Sequence, residues 1–124
     1  MRAPSILVVD DNETNLKLLR VVLARSGFSV ATAGNAAEAR RSIEISKPDV
    51  ILMDIQLPGI DGLALTRSLK ADAANRDIAI IAVTSYAMKG DREKALAAGC
   101  DDYLSKPVDI RSIGEVIRSH LKRA

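Results

Sequence analysis

The chain has 124 residues, of which 48% are hydrophobic, and this length and composition suit one domain with a continuous core. Eighteen basic residues against sixteen acidic ones give a formal net charge of +2, with both signs interspersed along the chain. Because the basic residues are spread among acidic ones, no basic stripe for nucleic acid is expected. Only three aromatic residues are present, so no surface for stacking of bases is expected either. No apolar run reaches the ~18 residues of a membrane span and no signal-peptide pattern is seen, which favours a cytoplasmic protein.

Five short apolar segments alternate with helical patterns, which is typical of strand-helix units around a parallel sheet. The predicted strands cover residues 6–9, 29–32, 50–53, 78–83 and 102–104. The first, third and fourth are unbroken apolar runs, as in strands covered on both faces, whereas the second and fifth are short and mixed. The contrast predicts a flavodoxin-like α/β fold with strand order 2-1-3-4-5, a doubly wound parallel sheet spanning residues 1–124 as one domain.

Start and stop signals bound the predicted helices. Gly27 is expected to end the first helix in a left-handed conformation, and Asn35 begins the second with Glu38 three residues later, as in a capping box. The third helix is predicted from residue 61 or 62 to about 71, and the fourth to end at Gly99. Asp109 is a candidate N-cap of the last helix. The apolar stripe of that helix comprises Ile110, Ile113, Ile117 and Leu121.

Polar side chains follow the strands at the points where the strands end. In an open parallel sheet, ligands bind beyond the carboxyl ends of the strands, beside the switch point between strands 1 and 3. The residues at these positions are Asp10 and Asp11 after strand 1, Asp54 after strand 3, Thr84 after strand 4 and Lys106 after strand 5. Three carboxylates, a hydroxyl and an ammonium group are therefore predicted to meet at one edge of the sheet.

This set of groups indicates a particular chemistry. Clustered carboxylates repel one another, so they need either raised pKa values or a bound cation. Oxygen ligands without His or Cys suit Mg²⁺, or Mn²⁺, and Mg²⁺ keeps open positions for phosphate oxygens. An aspartate such as Asp54 can be the nucleophile that accepts a phosphoryl group, while Thr84 and Lys106 contact the phosphoryl oxygens.

Each residue also has a simpler interpretation when it is considered alone. Asp11 or Asn12 could cap the first helix, Thr84 could be a β-branched strand end and Lys106 a solvated loop lysine. Asp54 is harder to explain in this way, because an unpaired charge at the end of a central apolar strand is costly. The convergence of all five residues at one edge favours the functional interpretation.

The same stretches resemble the receiver domains of two-component response regulators. The matching segments are residues 8–12 (VVDDN), 52–62 (LMDIQLPGIDG), 82–85 (AVTS) and 99–107 (GCDDYLSKP). They occur in the order found in that family and together cover essentially the whole chain. Residues 54–58 and 87–91 additionally resemble single-domain regulators of cell division within the family.

The resemblance implies that Asp54 is the phosphoacceptor. Mg²⁺ would be held by Asp10, Asp11, Asp54 and the backbone carbonyl of Gln56. It also implies that Thr84 and Lys106 contact the phosphoryl group, and that a cis peptide between Lys106 and Pro107 aims the lysine into the pocket.

The resemblance further implies a conformational switch and signalling partners. Phosphorylation would draw Thr84 inward and let Tyr103 fill the vacated space, which changes the face formed by the fourth helix, fifth strand and fifth helix. A sensor histidine kinase or histidine phosphotransferase would be the donor, and a downstream protein would bind that face. Tyr86, in the loop over the pocket, is a candidate for tuning the lifetime of the phosphoryl group. Cys100 stands where the family usually has Ala and is expected to be a small buried residue.

Competing classes are less consistent with the residues. A phosphohydrolase that works through an aspartyl phosphate needs a second acid two residues after the nucleophile, where this chain has Gln56. A nucleotide-binding protein would carry a Gly-rich loop after strand 1. A histidine phosphotransfer module is disfavoured because the chain is not predicted to be all-helical, and His120 lies near the end of the last helix, where it is predicted to face solvent. A receiver that only binds partners and is never phosphorylated is disfavoured by the complete set of five pocket residues. A receiver domain from a longer regulator or a hybrid kinase would carry the same motifs and remains an alternative.

Overall fold

The structure is a computed structural model that describes residues 3–55, 62–84, 91–105 and 108–121. In chain order its elements are β1 Ser5–Val9, α1 Glu13–Arg25, β2 Ser29–Ala33, α2 Ala36–Ile45, β3 Val50–Asp54, α3 Gly62–Ala71, β4 Ala79–Thr84, α4 Asp91–Ala98, β5 Asp102–Ser105 and α5 Ile113–Ser119. None of the helices in these segments combines the length and apolar character needed to cross a lipid bilayer.

The five strands form one parallel sheet in the order β2-β1-β3-β4-β5, as predicted. The central strands β1, β3 and β4 are buried over nearly their whole length, whereas the edge strands β2 and β5 are mostly half-buried. Strand composition therefore selected the correct order, because only strands covered by helices on both faces can be apolar at every position.

Alternate residues of each strand divide the core into two layers. Ile6 and Val8 of β1 pack with residues of α1 and α5, whereas Leu7 and Val9 pack on the opposite face with α2, α3 and α4. This follows from the two-residue period of a strand, which sends neighbouring side chains to opposite faces. The sheet thus lies between α1 and α5 on one side and α2, α3 and α4 on the other.

Most predicted helix ends agree with the structure. Gly27, which follows the C-cap Ser26 of α1, has φ of +96°, and the Asn35 side chain accepts the Glu38 N–H at 2.9 Å. The Glu38 carboxylate accepts the Gly34 N–H at 2.8 Å, so the capping box closes one residue earlier than the usual pattern. Gly99 ends α4 with φ of +110°, a conformation that glycine adopts without strain.

The predicted start of the last helix is wrong. α5 begins at Ile113 after Ser112, and Asp109 instead caps the preceding turn, where its carboxylate accepts the Arg111 N–H at 2.9 Å. Ile113 and Ile117 are buried as predicted, but Ile110 is 48% exposed because it belongs to that turn and not to the helix. The predicted last helix therefore begins about one turn earlier than α5 does.

Cys100 is buried, as predicted, between α4 and β5. Burial raises the pKa of its thiol, and the thiol donates a weak hydrogen bond to the Thr66 hydroxyl at 3.8 Å. The residue therefore behaves as a small core side chain and not as a reactive thiolate.

Candidate functional site: an acidic cluster at the carboxyl ends of the central strands

Three carboxylates meet where β1 and β3 end. Asp10 and Asp11 follow β1, and Asp54 is the last residue of β3. Because adjacent parallel strands end at the same edge of the sheet, one oxygen of each carboxylate lies within 4.8 Å of the others. Asp10 and Asp54 are only 3% and 4% exposed, whereas Asp11 is exposed. The structure thus brings together the three acids that the sequence placed at this edge.

The first turn of α1 orients Asp10. Asn12 is the N-cap of this helix, with its side chain accepting the Asn15 N–H at 3.1 Å. Its own N–H donates to Asp10 Oδ1 at 2.9 Å, and the Asn15 amide donates to Asp10 Oδ2 at 3.4 Å. Since Asn12 supplies the cap, Asp11 is not needed for it and remains part of the acidic cluster.

The electrostatics of the cluster favour a hard cation. Two negative charges at this separation repel by roughly 3 kcal/mol at the effective dielectric constant of a partly buried site, as for the Asp10 and Asp54 pair. A carboxylate has about four lone-pair positions, so hydrogen bonds such as those from Asn12 and Asn15 are compatible with an ion bound to Asp10. The donor set of three carboxylates without His or Cys fits Mg²⁺ or a similar divalent ion.

Two further predicted residues lie on neighbouring strands. Thr84 is the last residue of β4 and is fully buried, and Tyr103 on β5 is half-buried against the core layer of α2, α3 and α4. The register pairs Tyr103 with Ala82, two positions before Thr84, so both side chains lie on the same face of the sheet. The other predicted site residues, Gln56, Tyr86, Lys106 and Pro107, lie outside the described residues.

A cavity of about 360 Å³ opens beside the acidic cluster on the α1 side of the sheet. Asp10 and Asp54 border it, and most of its wall is apolar. The apolar lining includes Leu18, Leu19, Leu52, Val83, Val108 and Ile110. Leu18 and Ile110 are both 48% exposed, so the cavity continues into an apolar surface at the rim of the site.

Sequence reasoning missed two residues that shape this site. Asn15 was overlooked although it occupies the third helical position, where a polar side chain can fold back towards the preceding strand end. Gly62 was recognised only as a helix start, but its N–H donates to the Ile55 carbonyl at 3.2 Å and the residue is buried against the end of β3. The Asp-Gly pair before a helix was the available signal.

The prediction that His120 faces solvent is wrong. Its Nε2 lies 2.8 Å from Asp102 Oδ2, which joins the end of α5 to the start of β5. Burial alone would raise the pKa of Asp102, but hydrogen bonds from His120 and from the Tyr103 N–H, with the nearby charge of Arg92, outweigh burial and lower that pKa. The histidine therefore has a structural contact at the edge of the sheet opposite the acidic cluster.

Comparison with known proteins agrees with this geometry. Residues 6–118 match the family model of the response regulator receiver domain. The polar-differentiation response regulator DivK of Brucella anthropi is 44% identical over 117 residues, which cover 94% of this chain and 95% of that protein. The DivK protein of Brucella ovis is similar to the same extent.

Solved structures give the same result. A putative response regulator from Chloroflexus aurantiacus superposes with a TM-score of 0.92 at 29% identity, covering 98% of this chain and all of that one. The receiver domain of a sensor histidine kinase from Pseudomonas aeruginosa superposes with a TM-score of 0.85 at 36% identity, covering 95% of this chain and 97% of that one. That structure has a magnesium ion coordinated in its active site cleft.

Proposed function

The chain belongs to the response regulator receiver-domain family of two-component systems, and we propose that it signals by accepting a phosphoryl group on Asp54. The observation that carries this proposal is the buried Asp54 carboxylate beside Asp10 and Asp11, with ligating oxygens within 4.8 Å of one another. Carboxylates this close repel one another, and a bound cation would offset that repulsion. The DivK relatives and the solved receiver domains support the same assignment.

The transfer has a simple balance of bonds. An Asp54 carboxylate oxygen forms a bond to phosphorus while the bond from phosphorus to a histidine nitrogen of the donor breaks, with the electron pair remaining on that nitrogen. Hydrolysis of the resulting acyl phosphate returns the carboxylate and inorganic phosphate. Thr84 and Lys106 are the proposed contacts of the phosphoryl oxygens, and Tyr86 is proposed to slow the attack of water.

The proposed metal site consists of Asp10, Asp11, Asp54 and the carbonyl of Gln56. Bound there, Mg²⁺ would offset the negative charge of the transferring phosphoryl group. The described residues contribute orientation, because Asn12 and Asn15 hold Asp10 through one hydrogen bond to each of its oxygens. Asp11, being exposed, leaves an open side through which the donor approaches.

The proposed readout passes from Thr84 to Tyr103. Both residues lie on the face of the sheet covered by α2, α3 and α4, and Tyr103 packs on the core without being fully buried. A shift of the buried Thr84 towards a phosphoryl group would open space next to Ala82, the strand neighbour of Tyr103. The face formed by α4, β5 and α5 would then change and bind a downstream protein differently.

The donor is proposed to be a sensor histidine kinase or a histidine phosphotransferase that docks on α1. Leu18 and Val21 of α1 are 48% and 49% exposed, and Leu18 lines the cavity together with Ile110. Asp54 lies two residues after Leu52 and pairs with Val83, and both of these residues belong to the core layer of α1 and α5. Asp54 therefore lies on the α1 side of the sheet. A donor that covers this apolar surface would bring its histidine to the α1 side of the sheet, where Asp54 lies.

Labelling tests the assignment of Asp54. Purified protein is incubated with Mg²⁺ and acetyl phosphate, and intact mass is measured for wild type, Asp54→Asn and Asp49→Asn. Asp49 is the matched control, because it lies just before β3, the strand that Asp54 ends. We expect one added phosphoryl group in wild type and Asp49→Asn, and none in Asp54→Asn. Equal labelling of Asp54→Asn and wild type would refute the assignment, and no labelling with any donor would favour a receiver that only binds partners.

Donor docking is tested by comparing two kinds of phosphodonor. Leu18→Ser should slow transfer from a phosphorylated histidine phosphotransferase by about tenfold while leaving labelling by acetyl phosphate unchanged, because only the protein donor contacts the patch. Leu96→Ser is the control, since Leu96 is similarly exposed at 43% but lies on α4. Equal loss with both donors would mean that Leu18 acts on the site and not on docking.

A further inference from the structure

Gly62, the first residue of α3, packs directly on the backbone of the proposed phosphoacceptor. Its N–H donates to the Ile55 carbonyl at 3.2 Å. A Cβ atom added at Gly62 would overlap the carbonyl oxygen of Asp54 and lie 2.6 Å from the Ile55 Cα, whereas real Cβ contacts are essentially never shorter than 3.0 Å. Both obstructing atoms belong to backbone, so rotation of a side chain cannot relieve the overlap.

The first turn of α3 is also held from its other side. The buried Thr66 hydroxyl donates to the Gly62 carbonyl at 2.8 Å, and the Cys100 thiol contacts the same hydroxyl. Gly62 is therefore fixed between Ile55, which directly follows β3, and Thr66 within its own helix. An added Cβ atom would have to displace either this buried turn or the Asp54–Ile55 backbone.

The requirement for glycine at this position is one of space. Among the described residues, the glycines with positive φ are Gly27 and Gly99, and Gly62 is not one of them. A Cβ atom at Gly34 would meet only the Glu38 carboxylate at 3.5 Å, which is ordinary van der Waals contact. Gly62 thus differs from Gly34 in the backbone that it touches, and Gly34 provides a matched control.

We infer that Gly62 is a positioning residue for the acidic site, which lets α3 approach closely enough to fix the Asp54 peptide relative to Asp10 and Asp11. This inference rests on the proposed function, because it concerns the metal affinity of that site. Mg²⁺ requires near-ideal octahedral geometry at about 2.0–2.1 Å, so a shift of a few tenths of an ångström in one carboxylate weakens binding. The residue acts through Asp54 and does not itself contact the ion or the phosphoryl group.

Two measurements on Gly62→Ala and Gly34→Ala test the inference. Titration calorimetry gives the Kd for Mg²⁺ at a temperature where circular dichroism shows each variant folded. We expect Gly62→Ala to raise this Kd by about tenfold, as for other residues that orient metal ligands, and Gly34→Ala to leave it within about twofold. Amide spectra of metal-free protein should show the largest Gly62→Ala shifts at Asp54 and Ile55.

The outcomes separate the inference from the proposed function. If wild type binds Mg²⁺ and Gly62→Ala binds it equally well, the positioning role is wrong and the site assignment stands. If wild type does not bind Mg²⁺, the metal site is wrong, while the amide shifts at Asp54 still report whether Gly62 positions this peptide.

A second variant replaces Gly62→Ala if that protein does not fold. Thr66→Val removes the hydrogen bond to the Gly62 carbonyl without adding an atom near Asp54, and should weaken Mg²⁺ binding by about threefold. Thr66→Ser keeps the hydroxyl and should restore the wild-type Kd. An unchanged Kd in Thr66→Val, or a Kd in Thr66→Ser that stays as weak as in Thr66→Val, would overturn the inference.

Discussion

The carboxylates at the amino ends of the strands are arranged differently from those at the carboxyl ends. At the amino ends of the strands, described carboxylates are each matched to a hydrogen-bond donor. The pairs are Asp49 with the Ser5 N–H at 2.8 Å, Asp77 with Lys47 at 2.7 Å, Asp101 with Lys70 at 2.9 Å and Asp102 with His120 at 2.8 Å. At the carboxyl ends, Asp10, Asp11 and Asp54 have carboxylate oxygens within 4.8 Å of one another, and Asp10 also accepts hydrogen bonds from Asn12 and Asn15.

The difference separates stabilising from functional charge. A carboxylate matched to a donor favours the folded state, because the unfolded chain lacks the partner. Like charges grouped at one place repel one another, so such a group is a candidate site for binding or reaction. Replacing an aspartate is therefore expected to lower stability at the amino ends of the strands and to raise the stability of the metal-free protein in the acidic cluster.

The largest expected effect is at Asp101. Its carboxylate accepts both Lys70 Nζ and the Ile80 N–H, at 2.9 and 2.8 Å, so Asp101→Ala leaves two donors without this partner. We expect the free energy of unfolding in urea to fall by about 2 kcal/mol. Asp101→Asn, which keeps an acceptor but not the charge, should lose about half as much. Equal losses in the two variants would show that charge alone matters here.

Mg²⁺ should stabilise the protein through the acidic cluster and not through the carboxylates at the amino ends of the strands, with a smaller effect than that of Asp101→Ala. At a Mg²⁺ concentration ten times its Kd, the free energy of unfolding of wild type should rise by about 1.4 kcal/mol. Asp11→Asn should lose this increase and should unfold at a higher temperature than wild type without metal, since repulsion is relieved. Asp77→Asn should retain the full increase. An increase that persists in Asp11→Asn would remove Asp11 from the metal site.

Acid should weaken the Asp102 contact with His120. The pKa of Asp102 is lowered in the folded state, so its contribution is fully present above the unfolded value of about 4 and is lost as pH falls through the folded value. Because Asp102 is partly exposed, Asp102→Asn should cost only about 0.5 kcal/mol at pH 6. The difference from wild type in urea unfolding should close below about pH 4, and a constant difference would contradict this assignment.

The smallest effect is expected for the exposed pair of Lys47 and Asp77. Their side chains are 45% and 47% exposed, so a double-mutant cycle should give a coupling energy of about 0.3 kcal/mol. Adding 1 M salt should abolish it, because the Debye length then falls to about 3 Å. A coupling that survives salt would place this pair closer in strength to the Asp101 contact.

Much of the fold could be predicted because it depends on local patterns. The apolar runs of β1, β3 and β4 and the glycine after α1 gave the strand order and a helix end from neighbouring residues alone. The error at α5 arose for the same reason, since Asp109 satisfies the rules for an N-cap and the structure uses it to cap a turn. Sequence preference did not distinguish two local structures with the same hydrogen bond.

The sequence by itself determined the acids that end β1 and β3, because a charged residue after a buried strand is visible in the order of residues. Only the tertiary structure decided which donors match Asp101 and Asp102, and that Gly62 touches the Asp54 backbone. Lys70 is 31 residues from Asp101, and the Gly62 contact depends on how closely a helix approaches a strand end. Such contacts are set by packing distances between elements, which no local pattern specifies.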